Sequence, residues 1–339
     1  MEKIKHFSVS RDVIYKVYTS RKNPGRKKEM KPRAIVCGSI NMNLVAKAAR
    51  LPVPGETVRG QSFMTAPGGK GANQAVAIAR LGIPTAMVGR VGGDSFGREL
   101  LQSLQTAGVN TDNVLVDDAT SSGVAAIAVD DAAENQIIII PGANGRVDET
   151  DVERLKKLLP GAGALLLQFE IPINAVILAA QAARLAKVKV ILDPAPAQDI
   201  PPELYPLVDI ITPNETEAGQ LVGFAVNDAD TAAKAADVLL QRGVGSAIVK
   251  LGAKGALCAS KAETFIINAF KVTAVDTVAA GDAFNGGLAV ALVEGLDLRQ
   301  AVVWGAAAGA LATTKRGAQS SMCDRSALDE LLKNSELRN

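Results

Sequence analysis

From Ala34 onward, short β-branched runs alternate with longer stretches of helical spacing. The runs are Ala34 to Cys37, Thr85 to Val88, Ala164 to Phe169, Val188 to Leu192, Val208 to Ile211 and Ala247 to Val249. Parallel neighbours cannot be joined by a tight turn and need a crossover, usually a helix, so this order predicts βαβ units. Strands that are apolar throughout, rather than on alternate residues, belong in a sheet covered on both faces. The expected fold is therefore α/β, with a central, mostly parallel sheet, helices on both faces and right-handed crossovers. Of the 339 residues, 48% are hydrophobic and 21% charged, enough apolar surface for a sizeable core and the wrong composition for a disordered or collagen-like chain. The apolar runs fall far short of the roughly 20 residues a membrane helix needs.

Two regions break the alternation. Thr57 to Thr65 and Ser122 to Ile140 read as strands with no helix between them, the second holding the turn-like stretch Asp130 to Asn135. They predict a small antiparallel sheet inserted into the α/β body. Its role is a lid over the carboxyl ends of the parallel strands, where open α/β sheets bind ligands, or an ordinary dimerisation or decorative hairpin, and the roles are compatible. The expected organisation is a basic, disordered extension over residues 1–31, then one domain over 32–335 with lid strands at about 41–66 and 118–141.

Residue counts restrict the chemistry. The single histidine, His6, lies in the basic N-terminal stretch, so the folded body is not expected to use a Ser-His-Asp triad or a His-rich metal site. Cys37, Cys258 and Cys323 are far apart and form no CxxC pair, the pattern of buried thiols in a reducing cytoplasm. Residues 1–31 carry a local charge of +7, leaving −5 for the rest of the chain. This tail has no apolar stretch and includes Glu2, Asp12 and Glu29, so it reads as an upstream extension rather than a targeting peptide. Neither a nucleic-acid nor a membrane partner is expected.

Four segments carry chemistry. Ala66 to Gln74 places Gly68, Gly69 and Gly71 around Lys70, with Asn73 at the start of an Ala-rich helix pattern. Glycines let the backbone approach a ligand, although a plain strand-to-helix turn has the same look. Val275 to Gly287 sets the small residues Ala279, Ala280 and Gly281 before Asp282 at a predicted helix start. Their N–H groups suit an anion hole, and Asp282 suits a general base. In Ile211 to Glu217, Asn214 and Glu217 have the spacing of a capping box, and the same carboxylate suits the waters around Mg²⁺. Lys250, Leu251, Gly252, Ala253, Lys254 and Gly255 end a strand and form a Gly-bearing turn, which suits either a phosphate wall or an ordinary hairpin.

In this order and frame the four segments resemble the pfkB family of carbohydrate kinases, also called the ribokinase-like family, over about Ala34 to Leu332. The segments Gly38 to Asn41, Pro54 to Thr57, Gly69 to Gln74, Asp193 to Ala197, Thr212 to Glu217 and Lys315 to Gln319 carry the likeness. The resemblance implies a ribokinase-like fold and ATP-dependent phosphorylation of the primary hydroxyl of D-ribose. Asp282 matches the catalytic base; Ala279, Ala280 and Gly281 match the anion hole. Asn41, Asn43, Gly68, Gly69, Lys70, Gly71, Asn73 and Glu170 match sugar-binding positions. Asn214, Gly281 and the turn of Lys250, Leu251, Gly252, Ala253 and Gly255 match nucleotide-binding ones. Glu217 matches a Mg²⁺-linked carboxylate, and Asp276, Val278, Ala312, Lys315, Gly317 and Ser321 match a K⁺ site. The partners implied are a small sugar, ATP and a second copy of the chain.

The chain departs from the family at Asn43, where related proteins usually carry Asp to grip sugar hydroxyls. An amide keeps an acceptor but loses the charge, and charge-assisted hydrogen bonds are about twice as strong. Weaker ribose binding or a shifted sugar preference is expected, with phosphoryl transfer retained. For the tail, deleting residues 1–29 is expected to leave turnover unchanged in a coupled ADP assay; a folded but inactive truncation would show that the tail belongs to the machinery.

Overall fold

The computed structural model describes residues 5–6, 33–132 and 134–336. In chain order the elements are β1 (Lys5–His6), β2 (Arg33–Cys37), β3 (Asn41–Ala48), β4 (Gly60–Gly68), α1 (Lys70–Arg80), β5 (Thr85–Gly92), α2 (Ser95–Thr106) and β6 (Val109–Asp117). Next come β7 (Gly123–Val129), β8 (Asn135–Ile140), α3 (Glu149–Leu158), β9 (Ala162–Gln168), α4 (Ile173–Leu185), β10 (Lys189–Asp193) and β11 (Ile210–Ile211). The chain continues through α5 (Glu215–Val222), α6 (Ala229–Arg242), β12 (Ser246–Lys250), β13 (Ala256–Ser260), β14 (Thr264–Ile267), α7 (Ala280–Val293), α8 (Leu298–Thr313) and α9 (Arg325–Glu336).

Among the described residues the strands form a ten-stranded sheet in the order β1-β14-β13-β12-β11-β10-β9-β2-β5-β6. It is parallel except for the β12–β13 and β13–β14 pairs. Strand residues alternate between two cores. Ala34, Val36, Ala164 and Leu166 face α1, α7 and α8, while Ile35, Cys37, Leu165 and Leu167 face α3, α4 and α6. This is the three-layer arrangement expected from the apolar runs. All three cysteines are buried and free. Burial pushes the Cys37 and Cys258 thiols up to about 12, so they are packing groups, not nucleophiles. No described helix is long and apolar enough to cross a membrane.

The direction of winding reverses between β2 and β9. From β2 the chain goes on to β5 and β6 on one side; from β9 it steps through β10, β11 and β12 on the other. The carboxyl ends of such a divergent pair leave a crevice that nothing in the sheet fills. Here the pair delivers Gly38 and Ser39 from β2, and Phe169 and Glu170 from β9, to one place.

The second sheet differs from the expectation. It has four strands in the order β4-β3-β7-β8, and its central β3–β7 pair is parallel, so it is mixed rather than antiparallel. The reason is topological. β3 follows β2 and β7 follows β6, two strands of the same parallel sheet, so both leave its carboxyl edge in the same direction. Only the returning strands β4 and β8 run opposite. β4 begins at Gly60 rather than Thr57 and continues to Gly68, delivering the chain directly to α1. Strands β6, β13 and β14 lie outside the six runs that announced the main sheet. Of the basic extension, only Lys5–His6 is described, paired in parallel with β14; the expected disorder of the rest lies outside the described residues.

Candidate active site

Asp282 sits on the first turn of α7. Ala279 takes a left-handed conformation, φ 57°, and turns the chain into the helix. Ala280 N–H donates to Thr277 O at 3.2 Å, so it is already engaged; the amides of Gly281 and Asp282 have no acceptor among the described residues. They are the unpaired donors that any helix start offers to an anion. The carboxylate of Asp282 is 5% exposed. One oxygen accepts from Asn73 Nδ2 at 2.8 Å and the other from Gln74 Nε2 at 3.1 Å. Burial pushes this carboxyl up, Lys70 pulls it back and Asp193 adds to the rise, leaving it at about 6. Burial also pulls Lys70 down, but Asp282, Asp193, Glu170 and Glu217 outweigh it and hold the ammonium above its ordinary value. A cation that stays charged thus stands beside a carboxyl that ionises near neutrality, the pairing expected of a base and its electrostatic support.

The glycine segment closes the opposite wall. Gly69, φ 89°, is the cap from which α1 starts, so Lys70, Asn73 and Gln74 all project from the first two turns of one helix. Lys70 N–H donates to Glu170 Oε2 at 3.0 Å; the same oxygen accepts from Ser39 Oγ at 2.5 Å and Asn41 Nδ2 at 3.3 Å. Glu170 Oε1 has no donor among the described residues. Asn144, in the turn after β8, fixes Asn41: its Nδ2 donates to Asn41 Oδ1 at 2.6 Å and to Ile40 O, while its Oδ1 accepts from Ile40 N. Gly123 opens β7 beside this knot, and a Cβ there would overlap both amides. Asn43 points its side chain across Gly68, where a Cβ would overlap the amide, and finds no protein partner among the described residues. The Asn73 Oδ1 atom is also buried and unpartnered. Orphan acceptors of this kind are costly unless a bound molecule or water completes them.

On the far side, Asn214 and Glu217 form a true capping box at the start of α5, each side chain bonded to the other's N–H at 2.8 Å. The structural alternative is therefore realised, and it does not withdraw Glu217 from the site. Burial raises this carboxyl, Lys250 lowers it and Asp193 raises it again, with a net rise. Lys250 Nζ pairs with Asp193 Oδ1 at 3.0 Å, and an ideal Cβ on Gly281 would lie 3.3 Å from that nitrogen. The ammonium therefore stands at the start of α7. Leu251 to Gly255 forms a hairpin turn closed by Leu251 N–H to Gly255 O at 2.8 Å, and Gly252, Ala253 and Lys254 lie exposed at the rim.

Among the described residues no cluster of three or more metal-ligating side chains occurs. A lone carboxylate such as Glu217 fits Mg²⁺ all the same, because that ion keeps several of its waters. For the K⁺ positions, the Asp276 carboxylate accepts from Val278 N at 3.0 Å and Gly317 N at 2.9 Å, tying two loops together. The Ala312 carbonyl accepts from Lys315 N, and the Ser321 hydroxyl is turned to Ala318 O. This set offers mainly backbone oxygens, the donors a hard cation takes. A separate cleft of about 840 Å³, lined by Gln198, Asp199, Tyr205 and Arg242 among others, shares no lining residue with the site.

Gln74, Gln168, Asp193, Asn144 and Ser39 had no assigned role in the sequence. Gln74 and Asp193 lay inside segments already singled out, and their position at a helix start and a strand end was the available signal. Asn144 stands in a turn and carries no such signal.

The profile of pfkB family carbohydrate kinases matches residues 31–325. Ribokinase of Haemophilus influenzae is 43% identical over 303 residues, covering 89% of this chain and 99% of its own. Deoxyribokinase of Salmonella typhimurium is 36% identical over 287 residues, covering 84% and 94%. The solved structure of Arabidopsis thaliana ribokinase complexed with ribose and ATP superposes with a TM-score of 0.83 at 36% identity, covering 90% of this chain and 99% of that one.

Asn144→Asp keeps the acceptor for Ile40 N but places a carboxylate against Asn41 Oδ1. Asn41 must then turn its oxygen toward Glu170. Losing one or two buried bonds costs about 1–3 kcal/mol, so the sugar KM is expected to rise about tenfold or more with kcat little changed. Steady-state kinetics at saturating ATP checks this, and an unchanged KM in the folded variant would remove Asn144 from sugar binding.

Proposed function

We propose that this chain, which belongs to the pfkB family of carbohydrate kinases, transfers the γ-phosphate of ATP to the primary hydroxyl of D-ribose, giving ribose 5-phosphate and ADP. The observation that carries the reading is Asp282: a buried carboxylate near neutrality at a helix start with free amides, facing a lysine that stays charged. The ribokinase relatives support D-ribose as the acceptor.

The sugar lies between the lid sheet and the crevice, gripped by Asn41, Asn43, Lys70, Asn73 and Glu170 and by the backbone of Gly68, Gly69 and Gly71. Glu170 Oε1, without a protein donor among the described residues, accepts a hydrogen bond from a sugar hydroxyl. Asp282 removes the proton of the attacking hydroxyl, and Lys70 holds the emerging negative charge in place. Gly281 and Asp282 N–H groups receive the charge spreading over the transferring phosphoryl. Ala280, whose N–H is spent on Thr277, contributes shape, while Ala279, whose N–H has no acceptor among the described residues, contributes the turn and a further donor. ATP rests along Asn214 and the Lys250–Gly255 turn. Glu217 would hold the waters of Mg²⁺, which when bound neutralises the phosphates. Asp276, Val278, Ala312, Lys315, Gly317 and Ser321 would surround K⁺ beside the start of α7. The lid closes over both substrates and keeps water from the phosphoryl group.

The lid also supports a homodimer. Ile137, Ile138, Phe63 and Met64 are each at least 51% exposed, and the apolar strands β4 and β8 are open edges. Buried free thiols support a reducing cytoplasm. A second acceptor, a related sugar or a nucleoside, is favoured by the neutral Asn43, and the deoxyribokinase relative makes 2-deoxyribose the first to try.

Asp282→Asn is expected to lower kcat by roughly 10² to 10⁴ with ATP binding retained. Because the base works only when ionised, wild-type kcat should rise as pH climbs through about 6 rather than about 4. Near-normal turnover in the variant would remove Asp282 from the mechanism. A panel of ribose, 2-deoxyribose, fructose and adenosine with coupled ADP detection, with and without K⁺, identifies the acceptor. In the same panel Asn43→Asp is expected to lower the ribose KM or narrow the sugar profile; no change in either would show that Asn43 does not set specificity.

A further inference from the structure

We infer that Gln74, held in turn by Gln168, is a positioning residue that fixes the orientation and ionisation of the catalytic carboxylate and couples it to the Asp193–Lys250 pair on the nucleotide side. Gln74 is fully buried, and its one side-chain nitrogen donates to two carboxylates, Asp282 Oδ1 at 3.1 Å and Asp193 Oδ2 at 2.9 Å. A side-chain amide has two N–H bonds, so both are used, one on each acid. The reverse orientation would turn the amide oxygen toward both acids. Gln168, fully buried at the end of β9, prevents it by donating from Nε2 to Gln74 Oε1 at 2.7 Å.

The neighbouring backbone makes room for Gln168 in this position. Gly38, just past the end of the neighbouring β2, has no room for a Cβ because Gln168 Oε1 occupies that space. One relay therefore runs from the centre of the sheet, through the second turn of α1, to the first turn of α7 and the end of β10. It reaches the nucleotide side through Asp193, whose other oxygen holds Lys250.

The chemical consequence concerns two acids buried side by side. The groups facing Asp282 are Lys70, Asn73 and Gln74 from α1 and Asp193 from β10; α7 itself brings no other charge. Asp193 favours the protonated form of Asp282, whereas Lys70, Asn73 and Gln74 favour the ionised form. Lys70 serves several carboxylates at once, and Asn73 reaches only the other oxygen. Among the described residues, only Gln74 donates to both Asp282 and Asp193. Without it Asp282 binds its proton more tightly, and of the two amides only Asn73 is left to hold its carboxylate toward the sugar hydroxyl.

The inference rests on Asp282 acting as base, so the test runs Asp282→Asn alongside Gln74→Met and Gln168→Met. Gln74→Met keeps the length of the side chain and removes both donors. It is expected to lower kcat about ten- to a hundredfold and to move the acidic limb of the kcat profile up by about one pH unit, with both KM values changed less than about threefold. Gln168→Met, which touches neither acid, should move the limb in the same direction by less. A folded Gln74→Met enzyme with an unmoved limb and kcat within about twofold of wild type overturns the inference, and so does a rise in both KM values with no shift of the limb. If Gln74→Met does not fold, Gln168→Met is judged by the direction of its limb, and failure of both to fold assigns the pair a purely structural role. An active Asp282→Asn would instead sink the reading of the base itself, whatever the glutamines do.

Discussion

Burying a carboxylate is expensive unless charge and hydrogen bonds accompany it, and this site buries several within reach of two lysines. Asp193 and Asp282 are almost fully enclosed, with Glu170 and Glu217 nearby. The fold answers with Lys70 from the glycine segment, Lys250 from the end of β12 and three side-chain amides. Asp193 is met by Lys250 and the Gln74 amide. Asp282 is met by two amides and by Lys70, which other acids share, and burial holds its carboxyl at about 6, a value suited to exchanging a proton.

That distribution follows from where the elements end. Parallel strands deliver their carboxyl termini to one edge, and reversal of winding between β2 and β9 opens that edge into a crevice. Ser39, Glu170, Asp193 and Lys250 all arrive there as residues at or just beyond a strand end, while Lys70, Asn73, Gln74 and Asp282 arrive on first or second helical turns. Polar residues at such positions need no loop of their own to reach the site, so short connections suffice.

The same logic explains what could be read in advance. Apolar runs announced six strands of the main sheet because burial on both faces leaves an unbroken signal. β6, with its polar alternation, and the short β13 and β14 gave none of that kind. Asp282 at a helix start, the glycine segment and the capping box were legible because each depends on local spacing. The parallel β3–β7 pairing was not, since strand direction in the lid is inherited from the main sheet rather than written in the lid. Asn144 and Gln168 were not legible either: one holds Asn41 across 103 positions of chain and the other holds Gln74 across 94, and no local pattern encodes so distant a bond.

Helices α1 and α7 meet at Gly286, where a Cβ would come within 2.5 Å of the Ala77 methyl. Backbones this close interlock, so the helix bearing Asp282 and the helix bearing its amide partners are packed as one block beneath the four-stranded flap. The flap joins the body through Asn41, which donates to Glu170 and is held by Asn144, and through the packing of β3 and β4 against α2. A molecule entering beneath the flap therefore meets Asp282, Asn73 and Gln74 already locked against one another, with no side chain left to be assembled on arrival.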